Sequence, residues 1–173
     1  MIKQGAFSTN VAYLRSGLVK IHVAGPYYEQ IVKISKATRY LGLPTTIGDK
    51  INQYSVTAVT DCEVCYIDIS TFKNLLKEND QFTVEIILDL CQDNLESIHR
   101  CAKRTQKQTR GNIADVLLDF AENIFESDEF ILPVSQKELG NLVDASRESV
   151  SRILSEFHND KIIDFNRKNI YIK

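Results

Sequence analysis

Between Ala12 and Val59 apolar and polar residues alternate in short runs, most clearly Leu18-Val19-Lys20-Ile21-His22-Val23 and Gln30-Ile31-Val32-Lys33-Ile34. Gly17, Gly25-Pro26, Pro44 and Gly48 punctuate them. A period of two between turn formers predicts an antiparallel β domain with one face buried. Ser55-Val56-Thr57-Ala58-Val59 and Glu63-Val64-Cys65-Tyr66-Ile67 are its last expected strands, and Ser70-Thr71-Phe72-Lys73-Asn74-Leu75-Leu76 then reads as a short capped helix.

The period changes again beyond it. Val84, Leu88, Cys91, Leu95, Ile98, Ala102 and Thr105 recur at alternating spacings of four and three, the a/d seam of a coiled coil. A helix packed only on its own domain would carry a wider apolar stripe, so residues 81–110 are expected to form a dimerisation helix. Its interface residues are Val84, Leu88, Cys91, Leu95, Ile98 and Ala102. Gly111 is expected to interrupt the helix as a hinge, and Ile113, Leu117, Phe120, Ala121 and Ile124 supply a second apolar face. Glu126-Ser127-Asp128-Glu129 reads as a solvated loop.

The last forty residues carry the strongest motif. Ser135-Gln136-Lys137-Glu138 has the form of a capping box opening a short helix whose buried side is Leu139, Leu142 and Val143. Gly140 is expected to let another helix approach closely. After the turn Asp144-Ala145-Ser146, Ser146 can cap a second helix with Val150, Ile153, Leu154 and Phe157 facing inward. These are the ingredients of a helix-turn-helix. Arg147, Glu148, Ser149, Ser151 and Arg152 cluster in the first two turns of the second helix, the part that meets base edges in a major groove. Arginine can donate two hydrogen bonds to guanine, and glutamate can accept from cytosine. Ile162-Ile163-Asp164-Phe165 and Asn169-Ile170-Tyr171-Ile172 alternate around Asn166-Arg167-Lys168, a β-hairpin with a basic tip, or wing.

Composition narrows the classes of function. A net charge of −2 over 173 residues means that any DNA contact comes from a local basic surface. No stretch reaches the roughly 18 apolar residues of a membrane span, so a cytoplasmic protein with no membrane partner is expected. The four cysteines lack the density of a disulfide framework, and His22, His99 and His158 are scattered. No nucleophile with a base, phosphate loop or metal-ligand spacing can be assembled, so neither an enzyme nor a bound cofactor is expected.

The string VSQKELGNLVDASRESVSRILSEFHNDKII, Val134 to Ile163, closely resembles the bacterial family of the cyclic-AMP receptor protein and the fumarate and nitrate reduction regulator. VTAVTDCEVCYIDISTFKNLL resembles the last β-roll strands and short helix of that family's effector domain. The resemblance implies an α+β architecture: an antiparallel, cupin-like β-roll at 1–80, shortened or open because the match begins late in the roll; a long dimerisation helix at 81–110; and a winged helix-turn-helix at 111–173. It implies a homodimeric transcription regulator acting on double-stranded DNA, with RNA polymerase as a further partner. On its motif Arg147, Glu148, Ser151 and Arg152 read bases, while Ser135, Lys137, Ser146, Ser149 and Lys168 meet the DNA backbone. A sensor module that no longer reads DNA is the competing function.

The chain departs from the family at the effector site. Members that bind cyclic nucleotide carry Gly-Glu for the ribose and Arg-Ser for the phosphate; here Gly42-Leu43 and Asn52-Gln53 stand in those places. A buried phosphate needs a cationic partner, so no tight cyclic-nucleotide binding is expected, and the effector stays unassigned. The clustered cysteines of iron-sulfur members are absent. Cys62 and Cys65 point to opposite faces of a strand and are expected to pack rather than chelate, and Cys91 to pack in the seam. Arg100, Lys103, Arg104, Lys107 and Arg110 form a basic stripe that a solvated coiled-coil flank explains more simply than a DNA surface.

Overall fold

In the computed structural model, which describes all residues 1–173, six strands form the first unit. They are β1 (Asn10–Ser16), β2 (Leu18–Ala24), β3 (Glu29–Lys36), β4 (Arg39–Leu41), β5 (Ser55–Ala58) and β6 (Glu63–Asp68). All pair antiparallel in two sheets of order β4-β1-β6 and β3-β2-β5. The alternation read from the sequence turns Ala12, Leu14, Val19, Leu41 and Val56 into their shared core. Gly17 makes the β1–β2 corner at φ +93°, where a Cβ would lie 2.3 Å from the Asp61 carbonyl oxygen, so only glycine fits.

Helix α1 (Ile69–Glu78) follows directly, and its cap is Asp68, whose carboxylate accepts from the N–H groups of Ser70 and Thr71. Asn79 breaks the chain with extended backbone and caps α2 (Asp80–Gln106) through the Phe82 N–H. Phe72 is fully buried between Tyr40 and Phe82 at 5.5 and 5.7 Å between ring centres, edge to face, so one aromatic cluster ties the β unit to both helices.

The long helix ends at Gln106, where Lys107 turns extended (φ −111°, ψ 151°), and not at Gly111. Gly111 lies inside α3 (Thr109–Asp119) with ordinary helical backbone, so the expected glycine hinge is corrected to the Lys107–Gln108 step. One further helical turn, Phe120–Phe125, completes this segment. The acidic loop is shorter than expected. Glu129 already opens a strand, β7 (Glu129–Ile131), followed by α4 (Gln136–Val143), α5 (Arg147–Asn159), β8 (Ile163–Asn166) and β9 (Asn169–Ile172). The wing is therefore a three-stranded sheet of order β7-β9-β8.

The largest core holds eighteen buried residues and is built mainly on the expected positions, among them Ile113, Leu117, Phe120, Leu139, Leu142, Val150, Ile153, Leu154 and Phe157. Ile31 and Ile34 of β3 belong to the same core. No helix is long and apolar enough to cross a membrane.

Candidate nucleic-acid interface

Both helices of the C-terminal module begin with local hydrogen bonds that fix them. Ser135 Oγ accepts from the Glu138 N–H at 3.2 Å while Glu138 Oε2 accepts from the Ser135 N–H at 2.9 Å, the reciprocal capping box that the spacing implied. Ser146 Oγ accepts from the Ser149 N–H at 3.1 Å and opens α5. Between them Asp144 adopts left-handed backbone (φ 57°), which a short polar side chain tolerates. A Cβ on Gly140 would stand 2.4 Å from the Ala145 carbonyl oxygen, so the glycine makes room for the turn backbone rather than for a second helix.

These constraints leave α5 with two faces. Val150, Ile153, Leu154 and Phe157 are at most 4% exposed, and on the opposite face Arg147, Glu148, Ser151 and Arg152 all stand in solvent. The four base-reading candidates thus share one surface. Lys137, Ser146 and Lys168 are also exposed. Three of the backbone-contact candidates are already engaged: the Ser135 hydroxyl donates to Glu138 Oε2 at 2.9 Å, and the Ser146 hydroxyl, which caps α5, donates to Oγ of the half-buried Ser149 at 3.1 Å. At the wing tip Lys168 is held by its own carbonyl, which accepts from the Leu132 N–H at 2.7 Å, while its ammonium remains free.

Behind the reading face runs an ion network that sequence spacing could not show. Arg152 Nη1 lies 2.5 Å from Glu156 Oε1, and Arg110 from α3 holds the other oxygen at 2.7 Å, reaches Asp160 at 2.7 Å and covers the Phe157 ring at 4.7 Å. Lys107 pairs with Asp115 and Arg100 with Glu96, so much of the basic stripe is neutralised within the chain.

Glu138 is held well below its ordinary range, at about 2. Burial pushes the carboxyl up, but the Ser135 N–H and hydroxyl and the Lys20 ammonium together outweigh it. A carboxyl with a lowered native pKa stabilises the fold above its unfolded value of roughly 4.3, and loses that contribution as pH falls toward 2. Glu138 is 32% exposed, so water discounts the effect to about 1–2 kcal/mol. Glu138→Gln is therefore expected to flatten the fall in melting temperature between pH 5 and 2.5 and to lower the neutral-pH value; parallel curves for the two proteins would contradict this.

On α2 the expected seam is bare. Val84, Leu88, Leu95 and Ile98 are 51–62% exposed, and Cys91 and Ala102 are exposed beside them. Beside the seam, a cavity of about 210 Å³ lies between the β unit and α2. Lys33 and Arg39 enter it and both bind Asp93 at 2.8 Å. Leu43 is buried among Val11, Phe72 and Ile86 with no polar group to offer a ribose, and Asn52, whose Oδ1 accepts from the Thr45 hydroxyl, carries no charge to offer a phosphate.

Residues 112–173 match the Crp-like helix-turn-helix domain, and residues 1–79 match the cyclic nucleotide-binding domain. The transcriptional activator protein FnrA of Stutzerimonas stutzeri is 24% identical over 182 residues, covering 99% of this chain and 72% of the relative. The cAMP-activated global transcriptional regulator CRP of Pasteurella multocida is 24% identical over 120 residues, covering 68% of the chain and 57% of the relative, so this match takes in little more than half of that relative's length. In three dimensions the chain superposes on FixK2 of Bradyrhizobium japonicum with a TM-score of 0.88 over its whole length and 87% of that chain, at 17% identity. The regulator CLP of Xanthomonas campestris gives 0.84 over 99% of the chain and 88% of its own, at 18% identity.

Proposed function

Because the chain belongs to the family of the cyclic-AMP receptor protein and the fumarate and nitrate reduction regulator, we propose that it is a bacterial, cytoplasmic transcription regulator that binds double-stranded DNA as a homodimer. The observation that carries this reading is the single exposed surface formed by Arg147, Glu148, Ser151 and Arg152 on a helix whose opposite face is fully buried. Those four residues read base edges, and Lys137, Ser146 and Lys168 hold phosphates. Ser135 and Ser149 assist at the two helix starts through their hydroxyls, their backbone N–H groups being occupied in the caps: Ser149 Oγ keeps its own proton, and Ser135 Oγ exchanges Glu138 for a phosphate.

Residues 1–80 serve as the effector-type domain, 81–110 as the dimerisation helix and 111–173 as the reading head, with RNA polymerase as the partner on the promoter. The bare apolar row on α2 supports self-association: Val84, Leu88, Leu95 and Ile98 on one helix would otherwise stay wetted. A parallel two-fold pairing places Cys91 and Ala102 in the same seam. Shifts of genomic DNA fragments in gels test the reading. A small set of retarded fragments resistant to competitor is expected, whereas uniform weak retardation would favour the sensor module.

The effector of this regulator is not cyclic AMP. Of the cations lining the cavity, Lys33 and Arg39 are bound to Asp93 and Arg100 pairs with Glu96, and the ribose and phosphate partners are replaced by Leu43, Asn52 and Gln53. Millimolar cyclic AMP is expected to leave both melting temperature and DNA affinity unchanged. Binding in the low micromolar range, about 8 kcal/mol, would contradict it.

A further inference from the structure

Glu138 and Asn141 of α4 and Asp144, the cap that ends it, follow one another at three-residue intervals, and each is held by a different side chain of the β2–β3 hairpin. Lys20 Nζ lies 2.9 Å from Glu138 Oε1, and is itself braced at 3.1 Å by Glu29. Gln30 Nε2 donates to the Asn141 carbonyl at 2.5 Å, and the Tyr28 hydroxyl donates to Asp144 Oδ1 at 2.5 Å. The three contacts use the chemistry of a helix's ends: an N-terminal capping carboxylate, one of the last carbonyls that have no intrahelical partner, and the left-handed C-terminal cap. Beneath them Ile31 and Ile34 of β3 pack in one core with Leu139, Leu142 and Val143.

Only the Lys107–Gln108 step joins the helix of the proposed dimer axis to the reading head along the chain, and that step is a single extended turn of backbone. A head tethered there alone could swing. The hairpin reaches the first helix of the helix-turn-helix at start, middle and end, and so fixes its rotation as well as its position. None of the three hairpin residues lies on the exposed face of α5.

We infer that Lys20, Tyr28 and Gln30 are positioning residues for DNA recognition, locking the reading head to the β domain so that the two heads of a dimer keep one separation and one angle. The inference rests on the proposed reading of an inverted repeat. A rigid pair accepts one half-site spacing, because each added base pair rotates a half-site by roughly 34–36° about the duplex. A loosened pair accepts several, and gives up affinity at the best one to the lost preorganisation.

Lys20→Ala, Tyr28→Phe and Gln30→Ala each remove one of the three contacts from the hairpin side. Asp144→Asn keeps both the left-handed backbone and an acceptor oxygen, and should retain wild-type behaviour. The measurements are affinities for inverted repeats with spacers changed by one and two base pairs, and residual dipolar couplings of the DNA-free protein. For wild type and Asp144→Asn we expect one alignment tensor for both units and a loss of about tenfold or more per changed base pair. For Lys20→Ala, Tyr28→Phe and Gln30→Ala combined, which removes all three contacts, we expect two tensors, a spacer penalty within about threefold, and weaker binding at the optimum, with a cooperative melting transition retained. One tensor and an unchanged spacer penalty in that variant would overturn the inference. If wild type shows no inverted-repeat preference at all, the DNA reading falls, and the tensors alone decide the role of the hairpin.

Discussion

Replacing Leu95 by Glu is expected to convert the protein to monomers at micromolar concentration without unfolding it. In the single chain Leu95 is 51% exposed on the outer face of α2, touching none of the three cores, so the substitution leaves the β unit and the reading head intact. At a two-fold seam the same change acts twice. Each protomer loses about 1.5–3 kcal/mol of apolar burial, and two like charges meet near the axis, where removal from water costs several kcal/mol more. Together these weaken association by more than about a thousandfold. Sedimentation checks it, with circular dichroism to show that helix content is kept. A dimer that survives Leu95→Glu would place the interface elsewhere than α2.

Replacing Arg152 by Ala is expected to cost roughly 1–3 kcal/mol of specific binding and to relax preference at one base pair of each half-site. The ion network explains why Arg152 can be spared for DNA. When it leaves Glu156 Oε1 for guanine O6 and N7, Arg110 still holds the other Glu156 oxygen at 2.7 Å, so no carboxylate is stranded. The contrast is Lys168→Ala, which should weaken all sequences alike and lower the slope of log affinity against log salt by about one, as a phosphate contact does. Competition titrations with single-base variants separate the two. Equal losses across all variants for Arg152→Ala would assign it to the backbone instead.

How far the sequence could be read depended on whether a contact was local. Ser135 and Glu138 are three residues apart, and their capping box was visible in the spacing. The buried row Val150, Ile153, Leu154 and Phe157 was visible in its period, and with it the exposed row opposite. Gly111 misled because glycine tolerates helix as well as hinge, and the step fell instead on Lys107, a residue with no turn signature. Strand β7 was missed because Glu129-Phe130-Ile131 is too short to show a period and owes its conformation to β9, about forty residues on. The cap of the short helix falls on Asp68, just ahead of the stretch that showed its period, with the carboxylate accepting from the Ser70 and Thr71 N–H groups. The hairpin contacts to α4 were invisible for the same reason of distance: Tyr28 and Asp144 are 116 positions apart, and neither carries a local signal of the other.

The central claim is that two copies of α5, related by the α2 seam, read one DNA site together, and selection of binding sites from random duplexes by the wild-type protein tests it most directly. The expected product is an inverted repeat whose half-sites lie about one helical turn apart, roughly 34 Å. Guanines should stand opposite the arginines and a cytosine opposite Glu148, within a G·C-containing core such as TGA. Recovery of a single asymmetric half-site, or of no consensus, would contradict the account.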